Sequence, residues 1–145
     1  IHGTPLELMI AHLKSKREIK DFDQAEMRRQ EAGLLRKLME KRLKSNPDAR
    51  FAVLGDFNDT RRAPAIETLR GPFNTPLFCD SLPLEAKNGT RWTQFWSYQD
   101  VYSRFDYIFV SPGLMPFVNL SRSHIIDHPE WEKASDHRAL LMTFH

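Results

Sequence analysis

"RFAVLGDFNDT", residues 50–60, decides the fold. Its first half is a strand: side chains alternate along an extended chain, so Phe51 and Val53 fall on one face and Ala52 and Leu54 on the other. A strand apolar on both faces belongs to a sheet covered on both sides. The pattern recurs twice. In "FDYIFV" Phe105, Tyr107 and Phe109 oppose Ile108 and Val110, and in "ALLMTF" Ala139 and Leu141 oppose Leu140, Met142 and Phe144. The second half, "DFNDT", places Asp56 and Asn58 two apart, on one side of an extended segment.

Outward from this stretch the elements alternate. "LELMIAH" (6–12) predicts a strand, with Leu6, Leu8 and Ile10 alternating against Glu7, Met9 and Ala11. "DQAE" (23–26) predicts a capping box, Asp23 at the N-cap and Glu26 at N3. The long helix it opens carries Met27, Leu34, Leu35, Leu38 and Leu43 near helical spacing and stops at "SNP" (45–47). A short helix is expected near 63–70, loops through the prolines of 71–90, and strands at 90–98, 103–111 and 137–145, with a weaker one near 117–125. One long and one short helix cover one face of such a sheet. The second face is therefore expected to need another layer, from residues outside this sequence or from another chain.

The 145 residues are the length of one ordinary domain, 41% apolar and 28% charged. No apolar run approaches the roughly 18 residues of a membrane-spanning helix. The opening "IHGTPLELMIAHLKSK" has neither the basic start nor the small-residue cleavage site of a signal peptide. A single cysteine, Cys79, excludes an internal disulfide and a cysteine-rich zinc site, and leaves the compartment open between cytoplasm and secretion. Net charge is +2, unevenly spread: residues 14–50 hold 12 Lys/Arg against 7 Asp/Glu. That segment would favour an anionic partner or form a solvated helix face.

Polar groups collect at predicted strand ends. His12 closes the first strand, Asp56 and Asn58 the second; Asp106 lies within "SRFDYIFVSP", and Asp136 and His137 open the last strand in "ASDHRAL". Each has a plain structural reading: an Asx turn for "GDFND", a strand-start cap for Asp136, an exposed histidine for His12. Asp106 between two aromatic residues resists one, because a buried carboxylate must be paired. Taken together, carboxylates and an amide oxygen suit a hard divalent cation such as Mg²⁺ or Mn²⁺. A carboxylate–histidine pair suits a group kept protonated or oriented beside a phosphate. Arg61 and Arg62, with Trp92, Phe95, Trp96 and Arg104, would form a rim that grips a nucleic-acid backbone and stacks a base; the tryptophans equally suit a core. A phospholipid headgroup and a phosphorylated small molecule stay open as substrates.

"AHLKSK", "VLGDFNDT", "SRFDYIFVSP" and "ASDHRALL", in this order and spacing, resemble the C-terminal half of the endonuclease/exonuclease/phosphatase superfamily, from about Leu6 to Phe144. The resemblance implies an α/β fold: one sheet-and-helix half of a four-layer α/β/β/α sandwich, its sheet mixed and mostly antiparallel. It implies a metal-dependent phosphoesterase using Mg²⁺ or Mn²⁺. His12 would contact the scissile phosphate, Asp56 and Asn58 would position the attacking water and touch metal, and Asp106 would orient His137. Asp136 would be a metal ligand, and His137 would stabilise the phosphoryl oxygens and lie within the metal's reach.

The same resemblance implies an N-terminal half that supplies an asparagine and a glutamate to the principal metal. Only five residues precede the first predicted strand, and the nearest acid, Glu7, lies inside it. Residues 1–145 are thus expected to be a single unit lacking that half, weak in metal binding and in catalysis. A homodimer through the bare sheet face is expected of the chain alone. A non-catalytic binding module that keeps half the site is the competing expectation.

Overall fold

The computed structural model describes residue 3 and residues 5–145. Strand β1 (Glu7–His12) leads to helix α1 (Gln24–Ser45), strand β2 (Phe51–Asp56) and helix α2 (Pro64–Arg70). Then come β3 (Gln94–Trp96), β4 (Val101–Ser103), β5 (Asp106–Val110), β6 (His124–Ile125) and β7 (Leu140–Leu141), with short 3-10 turns between them. The fold is α/β. Its main sheet runs β1-β2-β5, with β1 parallel and β5 antiparallel to β2; β3-β4 and β6-β7 are antiparallel pairs. The main sheet is mixed as expected, with one parallel and one antiparallel pairing, and the two-stranded pairs beside it are antiparallel.

Asp23 caps α1, its Oδ1 accepting from the N–H groups of Ala25 at 2.9 Å and Glu26 at 3.2 Å. The Glu26 carboxylate turns instead to Arg29 and Gln30, so only half of the predicted capping box forms. The buried stripe also differs from the leucine pattern. Arg28, Ala32, Arg36, Met39 and Leu43 are buried, while Leu34 and Leu38 face solvent. The arginines qualify because each finds acceptors inside. Arg36 donates to Glu40 and to the carbonyls of Leu69, Arg70 and Leu77, which ties α1 to α2 and the loop after it.

Both faces of β2 and β5 are buried, by different means. On the helix side Phe51, Val53, Phe57, Tyr107 and Phe109 pack with Ala32, Met39, Leu43, Ile66 and Leu69. On the other side Ala52, Ile108 and Val110 pack under Leu82, Leu84, Leu114, Val118 and Ile125, with Leu140, Met142 and Phe144 against them. This corrects the expectation of a wholly bare second face: segments 81–86, 114–125 and 139–144 of the same chain cover it over β2 and β5. Among the described strands of the main sheet, β1 stays open, with Leu8 53% and Ile10 79% exposed.

The later strands are shorter than their apolar runs. The 90–98 run narrows to β3 and pairs with β4, which the sequence reading merged into a loop and a longer strand; Asp100, at φ 54, lies in the turn between them. The 137–145 run contributes two strand residues, and the 117–125 region is two 3-10 turns followed by β6. Side chains in these segments pack onto the sheet instead of extending it.

Candidate active site

Register brings the first three groups together. His12 is the cross-strand partner of Asp56, and Asp56 of Asp106, so they form a row across β1, β2 and β5 at one end of the sheet. The close approach of β1 and β2 there needs Gly55. Its φ of +143° is a region side chains rarely adopt, and a Cβ would overlap the Ala11 carbonyl oxygen. Phe57 is fully buried, edge-on to Phe109 with ring centroids 5.3 Å apart, and its N–H donates to the Phe105 carbonyl at 2.8 Å. The "DFN" step thus turns Asp56 to the site, Phe57 to the core and Asn58 back toward β1.

Asn58, at φ 51, is buried. Its N–H donates to Asp56 Oδ1 at 2.8 Å, and its side-chain amide donates to the Leu13 carbonyl at 2.9 Å and to Asp56 Oδ2 at 3.2 Å. His12 Nε2 lies 3.5 Å from Asp56 Oδ2, its side chain 73% exposed. His137 arrives from far along the chain. Its Nδ1 is 2.9 Å from Asp106 Oδ2 and its Nε2 3.9 Å from Asp56 Oδ2. A carboxylate only accepts, so Nδ1 carries the proton and Nε2 faces Asp56.

The hydrogen bond to Asp106 raises the His137 pKa, against the opposing effect of burial, and the charges of Asp106, Asp56 and Asp136 add to the rise. Burial raises Asp56, helped by the nearby Asp106 charge and resisted by the Asn58 N–H and by both histidines. Raised values at both Asp56 and His137, which face each other across the site, mark a site that prefers extra positive charge. One ligand atom from each of Asp56, Asp106 and His137 lies within 4.8 Å of the others, a spacing that a divalent ion would bridge.

The remaining predicted residues divide. Asp136 is exposed, its carboxylate facing the Gln94 amide at 3.5 Å, outside the cluster. Arg61 and Arg62 are exposed in the loop after Asp59. Trp96 is exposed and stacks with Tyr98. Arg104 turns inward, donating to the carbonyls of Leu82 and Leu84 and lying over the Tyr107 ring, so its charge serves the fold and not a rim. Trp92 is sandwiched between Arg138 and Tyr102, and Phe95 stacks on Tyr102. Glu7 pairs with Arg42 at the far end of β1 from His12.

Two features escaped the sequence reading. Asp59 is buried with Arg28 at 3.0 Å and Lys16 at 3.2 Å, and Arg28 also donates to the carbonyls of Lys14 and Ser15. This network clamps the segment after His12 to the segment after Asn58. The second aspartate of "GDFND" was its only visible trace. Thr93, fully buried, had none in the sequence.

The model of the Endonuclease/Exonuclease/phosphatase family matches residues 15–137, a span that ends on His137. Among solved structures, a truncated TDP2 from Caenorhabditis elegans superposes with a TM-score of 0.65 at 22% identity, covering 99% of this chain and 56% of that one. The beta toxin 275-280 from Staphylococcus aureus gives 0.62 at 15% identity, covering 100% and 54%. Both are likenesses of fold, and the chain spans a little over half the length of each. No curated protein matches the chain. Among the described residues no helix is long and apolar enough to cross a membrane.

Proposed function

This chain belongs to the endonuclease/exonuclease/phosphatase family, and from that premise we propose that it carries the histidine–carboxylate half of a divalent-metal-dependent phosphoester hydrolase. The carrying observation is the convergence of His12, Asp56, Asp106 and His137 at one end of the sheet. Asp56, held by two donors of Asn58, accepts a proton from the attacking water. His137, oriented by Asp106, presents a donor to the phosphoryl oxygens as negative charge builds there. His12, its side chain 73% exposed, meets the scissile phosphate. Arg61 and Arg62, exposed in the loop after Asp59, would contact a polyanion backbone. Trp96, also exposed, offers a stacking surface.

Two carboxylates and an imidazole fit Mg²⁺ or Mn²⁺, the imidazole favouring Mn²⁺. Such an ion would polarise a phosphoryl oxygen, held by Asp56 with Asp106 or His137. Asn58, bonded to Asp56, would add its amide oxygen as a ligand, whereas the Asp136 carboxylate faces Gln94 outside the cluster.

Residues 1–145 are read as one unit, half of a larger four-layer domain, because the matched structures are nearly twice as long. The other half would cover Leu8 and Ile10, which a second copy of this chain would otherwise occupy. The same shortfall favours one competing reading, a binding module without turnover.

Hydrolysis of a phosphodiester substrate with Mg²⁺ or Mn²⁺ tests the proposal. His137→Gln and Asp56→Asn are each expected to lower the rate at least a hundredfold with the fold intact. Unchanged turnover in either variant ends the reading. A steep fall in binding with rising salt marks a nucleic acid, through counterion release; a flat response marks a lipid headgroup or small phosphate ester. Tight binding of Mg²⁺ or Mn²⁺ by the 145-residue chain would count against the binding module.

A further inference from the structure

Thr93 sits in an aromatic stretch, "TRWTQFW" (90–96), yet it is fully buried and its hydroxyl, carbonyl and N–H are each hydrogen-bonded. Its Oγ1 accepts the N–H of Phe105 at 3.0 Å and the N–H of Asp106 at 3.1 Å. Its carbonyl accepts the N–H of Arg138, the residue after His137, and its own N–H donates to the Ser103 carbonyl at 2.9 Å. With the 2.9 Å bond from His137 Nδ1 to Asp106 Oδ2, these contacts close a ring from Asp106 through Thr93 and Arg138 to His137 and back.

Consecutive N–H groups of a regular strand diverge to opposite edges. Those of Phe105 and Asp106 instead converge on one oxygen, which a hydroxyl with two lone pairs can serve. On the far side the Phe105 carbonyl accepts from Phe57. The peptide from which Asp106 projects is therefore pinned on both sides, and Thr93 Oγ1 is the pin that faces the His137 segment.

We infer that Thr93 is a positioning residue for the Asp106–His137 pair. Its hydroxyl sets the backbone at the carboxylate end and its carbonyl sets the backbone at the imidazole end. The inference rests on reading that pair as the charge-handling centre of the site. Side-chain substitution tests the hydroxyl, since the carbonyl remains whatever the residue.

The test is spectroscopic and needs no turnover. In the 145-residue chain labelled with ¹⁵N-histidine, the hydrogen-bonded Nδ1–H of His137 is observed at one fixed pH and assigned by its loss in His137→Gln. Thr93→Ser keeps the acceptor and is expected to keep the resonance at its parent position. Thr93→Val keeps the shape without the acceptor and is expected to move the resonance upfield and speed its exchange with water about tenfold. A folded Thr93→Val with the parent resonance overturns the inference, as does a folded Thr93→Ser that has lost it. Failure of Thr93→Val to fold by circular dichroism also overturns it, because the hydroxyl would then hold the fold and not the pair. The two failures are separable. Unchanged hydrolysis in His137→Gln ends the functional reading, whereas a parent resonance in Thr93→Val ends only the role given to Thr93.

Discussion

His137 Nδ1 stands 2.9 Å from Asp106 Oδ2, and the two residues are 31 positions apart in the chain. The bond raises the pKa of the imidazole above its ordinary 6.5, with burial opposing and with Asp56 on β2 and the adjacent Asp136 assisting. Asp106→Asn keeps the shape and removes the charge, so the His137 midpoint is expected to fall, as followed by NMR titration. The stability consequence has a definite sign. A histidine with a raised folded pKa contributes stability that is complete below 6.5 and lost as pH rises through the folded value. Asp56, raised by burial above 3.8, acts in the same direction over a window that opens lower. The urea midpoint is therefore expected to decline as pH rises past 6.5, and His137→Gln to flatten that decline.

Gly55 is what lets His12 and Asp56 lie side by side. Gly55→Ala places a methyl group on the Ala11 carbonyl in a backbone region that alone costs about 1–3 kcal/mol. The strands must part or the backbone must change region. The expected loss is about 3 kcal/mol or more in urea unfolding, with any folded remainder showing a His12 ring no longer sensitive to Asp56→Asn. A variant as stable as the parent contradicts the packing of β1 on β2.

Arg28 holds a different part of the same end. Arg28→Met keeps the buried stem and strands the Asp59 carboxylate, with Lys16 as its remaining cationic partner. Breaking a buried pair from one side costs about 3–5 kcal/mol, and the retained lysine places this variant near 3. Arg28→Met with Asp59→Leu removes both charges and is expected to recover most of the loss. Recovery in the double variant is the signature of the pair; equal loss in both would assign the effect to packing alone.

Much of this was legible because local chemistry and tertiary role agree. β1, β2 and β5 alternate cleanly, Asp23 caps α1, and His12, Asp56 and Asp106 fall where strands begin or end. What was hidden depends on partners distant in sequence. Arg28 and Arg36 look like solvent-facing residues until Asp59 and the carbonyls of Leu69 and Leu77 meet them, and Leu34 and Leu38 look like core until those arginines take the inner face. Arg104 reads as a rim cation and is turned inward by carbonyls some 20 residues away. Covering of the second sheet face was unreadable for the same reason: the segments 81–86 and 114–125 carry little regular structure, and only their side chains close over the sheet.

On the proposed function, a cation and a proton would compete for the same end of the sheet. Ligand atoms of Asp56, Asp106 and His137 lie within 4.8 Å of one another, and the raised pKa values of Asp56 and His137 mean that protons are held there until pH rises. An imidazole ligates only when it has lost its proton, so binding through His137 releases one. Mn²⁺ affinity of the 145-residue chain, measured by calorimetry, is then expected to rise with pH above 6.5, at up to about tenfold per unit while one proton is displaced. Asp56→Asn is expected to abolish the binding and Asp106→Asn to weaken it at least tenfold. Asp136→Asn, whose carboxylate faces Gln94 in solvent, is expected to change it by less than about threefold. If Asp136→Asn alone abolishes binding, the ion sits on the outer side of His137 and the row of Asp56 and Asp106 is a proton site only. If affinity is flat across pH, His137 is outside the coordination sphere and acts as a cation beside it. Chelation of the ion should leave the fold intact, because neither hydrophobic cluster includes Asp56, Asp106 or His137.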